Sequence, residues 1–298
     1  MPRPAPHAKQ ILTWLIAASW AASCAAHADD VTPAPAAPAD PSKLTAGAAL
    51  MTDYIYRGLS YSAHQPSVGT YVDAQYGWLY GYTNFNSVKF STSPAVEVTV
   101  AAGIRPKLGP FDFDIGAAYY YYPGEIGPDL SNYWEGHATV SHKLTEKLTL
   151  GATLAYAPDV WQTGAWGTYA AGAVSLELPA DLLPSGVGWT LSGDAGRSVF
   201  GRTSSAGGVS AGAAGLPLPA YTNWRAGLTF SYSALKLGLN YTDTTLSKEQ
   251  CYVMTGDLGA LPGGVSTADN PTGLRSALCG ATFSATLGFE INPVVRGR

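Results

Sequence analysis

Residues 145–157 read Thr-Glu-Lys-Leu-Thr-Leu-Gly-Ala-Thr-Leu-Ala-Tyr-Ala. Leu148, Leu150, Ala152, Leu154 and Tyr156 alternate with Lys147, Thr149, Gly151, Thr153 and Ala155. An extended strand places these two sets on opposite faces. The same period of two recurs at Phe111–Ala118, at Leu235–Thr242 and at Ala281–Glu290. In a soluble sandwich the apolar set would point into a core. In a membrane barrel it faces lipid and the small polar set lines the lumen.

The connections decide between the two. Strands are expected at about 44–57, 67–77, 78–87, 95–108, 111–122, 131–144, 147–157, 167–178, 187–197, 222–233, 234–244 and 280–291. Short turns fall at Gly77, at Leu108-Gly109-Pro110, at Thr145-Glu146, within 179–186 and at Ser233-Ala234. Longer loops fall at 58–66, 88–94, 123–130, 158–166, 198–221 and 245–279. Every long loop follows an odd-numbered strand. That rhythm fits an all-β, transmembrane antiparallel up-and-down β-barrel of about 12 strands, with tight periplasmic turns and larger outer loops. With the N-terminus in the periplasm, both chain ends lie inside.

The start of the chain agrees. Met1–Ala28 carries Arg3 and Lys9, an apolar run from Ile11 to Ser23, and the small-residue site Ala26-His27-Ala28. This is the pattern of a cleaved signal peptide, and the run is too short for a spanning helix. Ala21-Ala22-Ser23-Cys24 resembles a lipoprotein site but lacks the leading Leu, so Cys24 is assigned to the leader. Residues 29–43 are rich in Pro and Ala and read as an extended periplasmic tether. The barrel is expected over 44–298, in the outer membrane of a Gram-negative bacterium.

Charged residues make up 13% of the chain, with 34 glycines and 18 tyrosines. A soluble domain carries about twice that charge fraction. Loss of Arg3 and Lys9 with the leader takes the 17 Lys and Arg to 15, against 21 Asp and Glu. No basic surplus points to nucleic acid. Cys251 and Cys279 remain, and in an exported protein they form a disulfide most simply. No His cluster accompanies them, so they do not read as a metal site, and no cofactor motif is present.

Tyr54, Tyr56, Tyr119, Tyr121, Trp134, Tyr156, Trp224 and Tyr241 fall at expected outer strand ends, and Trp78, Phe111, Trp189 and Phe289 at inner ends. Two such groups match the interfacial girdles of a membrane barrel.

The stretch Asp53-Tyr54-Ile55-Tyr56-Arg57-Gly58-Leu59-Ser60, with Pro66, Tyr71-Val72-Asp73 and Gly77-Trp78-Leu79-Tyr80-Gly81, resembles the TorF family of porins. Later echoes are Tyr121-Tyr122-Pro123-Gly124, Tyr133-Trp134-Glu135, Tyr156-Ala157-Pro158-Asp159 and Tyr241-Thr242-Asp243-Thr244-Thr245-Leu246-Ser247. The order of these short motifs is their specific part. The resemblance implies an outer-membrane barrel and a porin, without a defined solute. One departure is the end of the chain. Many such barrels finish on an aromatic that the barrel assembly machinery reads, whereas here Phe289-Glu290-Ile291 is followed by the tail 292–298. Either Phe289 or Ile291 serves as an internal signal, or the tail folds back.

By parity the inward charges are Asp53, Arg57, Asp73, Glu97, Arg105, Asp112, Asp114, Glu135, Lys143, Lys147, Glu177, Asp194, Arg225, Lys236, Asp243 and Glu290. These are the candidate pore-lining residues. Paired across the wall they brace a filled barrel; unpaired they set a field that favours one ion sign. Asp53 and Arg57, four apart on the first strand, are the candidate constriction or bracing pair.

The sequence thus predicts passive diffusion of small hydrophilic solutes or ions through a narrow, mildly cation-preferring lumen. Expected partners are outer-membrane lipid, lipopolysaccharide and the assembly machinery. Two alternatives stay open. One is a non-conducting barrel whose loops bind a partner or surface polymer. The other is an outer-membrane hydrolase, which needs an activated nucleophile at the outer rim. His137 and Ser141 descend toward the periplasm, His142 faces lipid, and His64 has no obvious carboxylate beside it in the sequence. No nucleophile elbow or zinc motif is present.

Overall fold

The computed structural model describes residues 42–126, 131–204 and 215–292. The leader, the tether up to residue 41, residues 127–130 and 205–214 of two loops, and the tail 293–298 lie outside the described residues.

Twelve long strands build the wall. They are β1 (Ser42–Met51), β2 (Ser67–Tyr76), β3 (Leu79–Ser87), β4 (Val96–Ile104), β5 (Phe111–Tyr121), β6 (Tyr133–Lys143), β7 (Leu148–Ala157), β8 (Gly167–Glu177), β9 (Val187–Phe200), β10 (Tyr221–Tyr232), β11 (Leu235–Thr244) and β12 (Thr282–Ile291). Each pairs antiparallel with its neighbour in the chain, and β12 pairs with β1 from Ala46↔Ile291 to Met51↔Thr286. The sheet is therefore a closed 12-strand barrel, with no open edge to satisfy within a membrane. The start of β1 and the end of β12 share one end of the barrel with the short turns. The long loops gather at the other.

Sequence chemistry fixes the turns. Tyr76 faces Leu79 across a two-residue connection whose Gly77 has φ 59°, a backbone that a tight hairpin requires and glycine adopts without strain. Parity fixes the faces. Leu50, Val68, Val72, Phe85, Val100, Ile115, Leu150, Leu154, Leu191, Leu237, Leu239 and Leu287 are exposed on the outer surface. Their neighbours on the other parity, among them Gly69, Asp73, Asn84, Thr99, Asp114, Thr139, Thr229 and Thr286, are buried. This inversion, apolar out and polar in, is the membrane-barrel pattern. Leu150 and Leu154 face outward while Asp114 is buried, the opposite of what a soluble sandwich would require.

The girdles are partly as expected. At the long-loop end, Tyr119 packs 4.7 Å from Trp134, and Tyr241 lies 5.0 Å from Phe283 on the outer surface. At the short-turn end, Trp189 stacks on Phe230, and Phe111 meets His142. Tyr54 and Tyr56 do not belong. Both are buried.

The reason is a correction to the first strand, which ends at Met51 rather than near 57. It starts at Ser42, inside the expected tether. Residues 52–66 leave the wall and turn into the lumen, carrying a small hairpin of Ile55–Tyr56 paired with Leu59–Ser60. Asp53-Tyr54-Ile55-Tyr56 are all buried in succession, which a lipid-facing strand does not permit. Arg57 (φ 47°) and Gly58 (φ 85°) make the reversal.

The long connection after β11 is not all loop. It contains α1 (Lys248–Thr255), opened by a capping box in which the Ser247 hydroxyl and the Gln250 side chain each accept from the other's backbone N–H. Cys251 of α1 is bonded to Cys279, as expected, with Cα atoms 5.7 Å apart. No helix among the described residues is long and apolar enough to cross a membrane.

Candidate functional site

The lumen divides into three regions, each built by inward-facing side chains. At the long-loop end, tyrosines from the wall meet the inward hairpin. Tyr120 and Tyr133 stack 4.6 Å apart, Tyr56 packs 6.1 Å from Tyr120, and Tyr61 stands edge-on to Phe90 at 4.9 Å. Leu278, Cys279, Cys251 and Met254 close the same cluster from above. At Gly58 the hairpin lies too close to the wall for a side chain, since a Cβ there would lie 2.3 Å from Thr244 Cγ2 and 2.9 Å from Asn223 Cβ. The hairpin starts at β1 and touches β10 and β11 with its tip.

Charged groups in this region are matched one by one. The Arg57 guanidinium donates to both Glu135 oxygens at 2.8 and 2.7 Å, and lies over the rings of Tyr56 and Tyr169 at 4.8 and 4.2 Å. Such bidentate, stacked geometry suits a planar guanidinium. Glu97 on β4 is fully buried and accepts from the hydroxyls of Tyr54 and Tyr122, each at 2.8 Å. Asp53 accepts from Ser60 and Ser62 at 2.6 and 2.9 Å, and its other oxygen meets His64 Nδ1 at 2.7 Å. His64 Nε2 reaches the Ala277 carbonyl oxygen at 3.3 Å. With an acceptor at each ring nitrogen, the imidazolium fits best. The hydrogen bond that His64 donates to Asp53 raises the His64 pKa above its ordinary value, burial opposes it, and the Asp53 charge adds to the rise.

Two sequence expectations are corrected here. Asp53 and Arg57 do not share a strand face and do not pair; each has a separate partner. His64, which has no carboxylate near it in sequence, has Asp53 beside it because the segment folds back on itself.

Midway and toward the short turns lies a second network. Arg105 joins Asp73 of β2 and Asp114 of β5, at 2.8 Å from an oxygen of each, over the face of Tyr80 at 3.9 Å. The Tyr80 hydroxyl donates to Asp114 at 2.9 Å, and His137 Nε2 lies 3.1 Å from the same carboxylate. Between β9 and β10 Arg225 is 2.6 Å from Asp194, and between β11 and β12 Lys236 is 3.3 Å from Glu290, which also accepts from Tyr71 of β2. At the short-turn mouth Lys107 lies 3.5 Å from Asp112 and Lys143 lies 3.6 Å from Glu146. Lys147 is exposed in its turn, and Glu177 is partly exposed within the fields of Lys143 and Lys147.

Asp243 is a further correction. It is opposite in parity to Lys236, Thr242 and Thr244, which are buried, and its register partner is the exposed Trp224. It lies on the outer surface near the long-loop rim, where it accepts from the Tyr241 hydroxyl at 3.3 Å. Its place among aromatic girdle residues, rather than at the midplane, keeps the charge hydrated.

The third region is the wall of β7–β9. Beside Tyr169, Glu177 and Asp194, its inward residues are largely small, among them Gly151, Thr153, Ala171, Ala173, Ser175 and Ser192. Ala173 is inward by parity yet exposed, and Thr153, Ala171 and Ser175 are partly exposed. The lumen therefore keeps solvent-accessible surface along this side. Sequence parity locates these residues, whereas the Tyr54–Glu97, Tyr169–Arg57 and Tyr80–Asp114 contacts join positions far apart in the chain and leave no local signal. Among the described residues no group of three or more His, Cys, Asp and Glu is set to hold a metal ion.

Comparison with known proteins gives one family and several distant folds. The family described as "Bacterial protein of unknown function (Gcw_chp)" matches residues 35–260. Among solved structures, the NanC porin is 10% identical with a TM-score of 0.48, covering 84% of this chain and 100% of that one. The KdgM porin is 6% identical, TM-score 0.46, covering 83% and 97%. LpxR from Salmonella typhimurium is 8% identical, TM-score 0.41, covering 83% and 99%. No curated protein matches the chain in sequence.

Proposed function

The chain belongs to the Gcw_chp family of bacterial proteins of unknown function, and we propose that it acts as an outer-membrane porin passing small hydrophilic solutes or ions by diffusion. The observation that carries this reading is the water-accessible, small-residue wall of β7–β9 inside a closed barrel whose outer surface is apolar. A barrel built only as a rigid anchor gains nothing from leaving that side unfilled. Twelve strands stand between filled barrels of about 8 and open ones of 16–18, so the passage is narrow. The TorF resemblance points the same way.

Inward acids outnumber inward bases, which favours cations. The ion pairs that join Asp73, Asp114, Glu135, Asp194 and Glu290 to bases keep that preference weak. The surrounding partners in this reading are membrane lipid and lipopolysaccharide at the apolar belt. The assembly machinery would read Phe289 or Ile291, both exposed on the outer surface of β12.

Single-channel recording of the refolded mature chain in a planar bilayer, under a salt gradient, tests the proposal. Discrete steps with a small cation-leaning reversal potential are expected. A folded barrel that never conducts, even with residues 53–65 removed, overturns it in favour of a sealed barrel whose loops bind a partner. The packing of Gly58 against β10 and β11 is the observation that favours this second reading.

A further inference from the structure

Residues 52–66 cross the bore, and three observations define how they are held. The tip packs against the wall two and three strands from β1, where a Gly58 Cβ would sit within 3 Å of both β10 and β11 side chains. Arg57 is fixed to β6 by two hydrogen bonds to Glu135 and lies over Tyr169 of β8. The backbone is left-handed at four positions of this short segment, Arg57, Gly58, Ala63 and His64, three of them not glycine. Left-handed backbone at a non-glycine residue is unfavourable and persists only where surrounding contacts over-determine it. The segment is therefore clamped in a conformation it would not adopt alone.

We infer that residues 52–66 are the gate of the barrel, and that the Arg57–Glu135 clamp is the contact that holds it shut across the lumen. The inference rests on the porin reading. The clamp fits a gate better than a fixed wall brace. A brace joins two strands of the sheet, as Arg225–Asp194 does between adjacent strands. Arg57 instead joins an element outside the sheet to the far side of the bore. The gate has hinges at its two ends, where Met51 and Ser67 return to paired strand positions opposite one another. Releasing it requires no change in the wall.

The test is planar-bilayer recording of the refolded mature chain and four variants: Arg57→Ala, Arg57→Lys, Gly58→Ala, and a chain with residues 53–65 replaced by a short Gly-Ser turn. Heat-modifiable gel mobility reports folding of each. Arg57→Ala is expected to raise the time-averaged conductance roughly tenfold or more, as loss of a state-specific contact shifts a two-state equilibrium. Arg57→Lys keeps the charge but not the bidentate fork, and should fall between. The added methyl of Gly58→Ala should unseat the tip and also raise conductance. If one variant fails to fold, the others carry the test. Folded variants that conduct no more than a conducting parent overturn the gate and leave the porin reading intact. Silence of every folded chain, including the one without the hairpin, overturns the porin reading itself. Conduction by the hairpin-less chain with a silent Arg57→Ala removes the role given to the clamp.

Discussion

Arg57 and Glu135 are 78 residues apart in sequence and meet through two hydrogen bonds of 2.8 and 2.7 Å, with only 3% of the Glu135 side chain exposed. One charge comes from the inward hairpin and the other from β6. Their pairing makes the hairpin part of the barrel's interior rather than a surface loop.

Removing one partner strands the other in a buried site, so a single substitution should cost more than the pair contributes. Glu135→Ala and Arg57→Ala are each expected to lower stability by about 3–5 kcal/mol. The double variant should cost clearly less than the sum. Denaturant unfolding in detergent micelles or vesicles, arranged as a double-mutant cycle, measures this. Simple additivity would mean that the two side chains do not interact.

His64 gives the hairpin a pH dependence. Its pKa in the folded chain is raised, chiefly by the hydrogen bond it donates to Asp53. A group with a raised folded pKa contributes stability that is fully present below its unfolded value of about 6.5 and is lost as pH rises through the folded value. Asp53 and, at longer range, Asp257 are the charges that face it. Protection of the hairpin amides from hydrogen exchange should therefore fall as pH rises from the ordinary histidine value of about 6.5 through the raised one, after correction for the intrinsic exchange rate. His64→Gln should abolish that fall. An unchanged profile in the variant would assign the dependence to another group.

Cys251 and Cys279 close a loop with a sequence separation of 28. Chain entropy puts the stabilisation at about 3–4 kcal/mol when the reduced loop is flexible. Both sulfurs lie in the cluster that covers the hairpin. Cys251→Ser with Cys279→Ser is expected to lower the thermal midpoint and to expose the loop to protease before the wall unfolds. Limited proteolysis of the folded barrel, with and without reductant, reads this directly. Equal resistance in both states would mean that α1 and its packing hold the loop without the bond.

Thr153 and Leu154 are neighbours on β7 with opposite surroundings, the first facing the lumen and the second 64% exposed on the outer face. Leu154→Arg should cost about 2–4 kcal/mol of folding into lipid vesicles if it lies near the midplane. Thr153→Arg should cost far less, because the lumen there is wet, and it should shift ion preference toward anions. Reversal of that order would exchange the two faces of the sheet.

Much of the architecture was legible in advance. The twelve strands, the alternation of short and long connections and the Cys251–Cys279 bond all follow from residue pattern. Strand parity placed Asp73, Arg105, Asp114, Glu135, Asp194, Arg225 and Lys236 in the lumen. Two misses have different causes. The helix α1 had a local signature, since Ser247-Lys248-Glu249-Gln250 is a capping box, but its residues sit in a connection otherwise rich in loop formers. Asp243 was counted among the inward charges by parity, although Leu237, Leu239 and Tyr241 put position 243 on the outer surface.

The amino-acid sequence by itself determined the wall, because strand alternation, turn chemistry and the apolar belt are properties of neighbouring residues. Only the tertiary structure decided the interior. Whether Tyr54 and Tyr56 face lipid or lumen depends on where the chain leaves the sheet after Met51. What accepts them there is Glu97 and Tyr120, 43 and 64 residues further on. A period-two pattern carries no information about such contacts. They exist because a closed sheet brings β1, β4, β5, β6 and β8 around one bore narrow enough for a short hairpin to span.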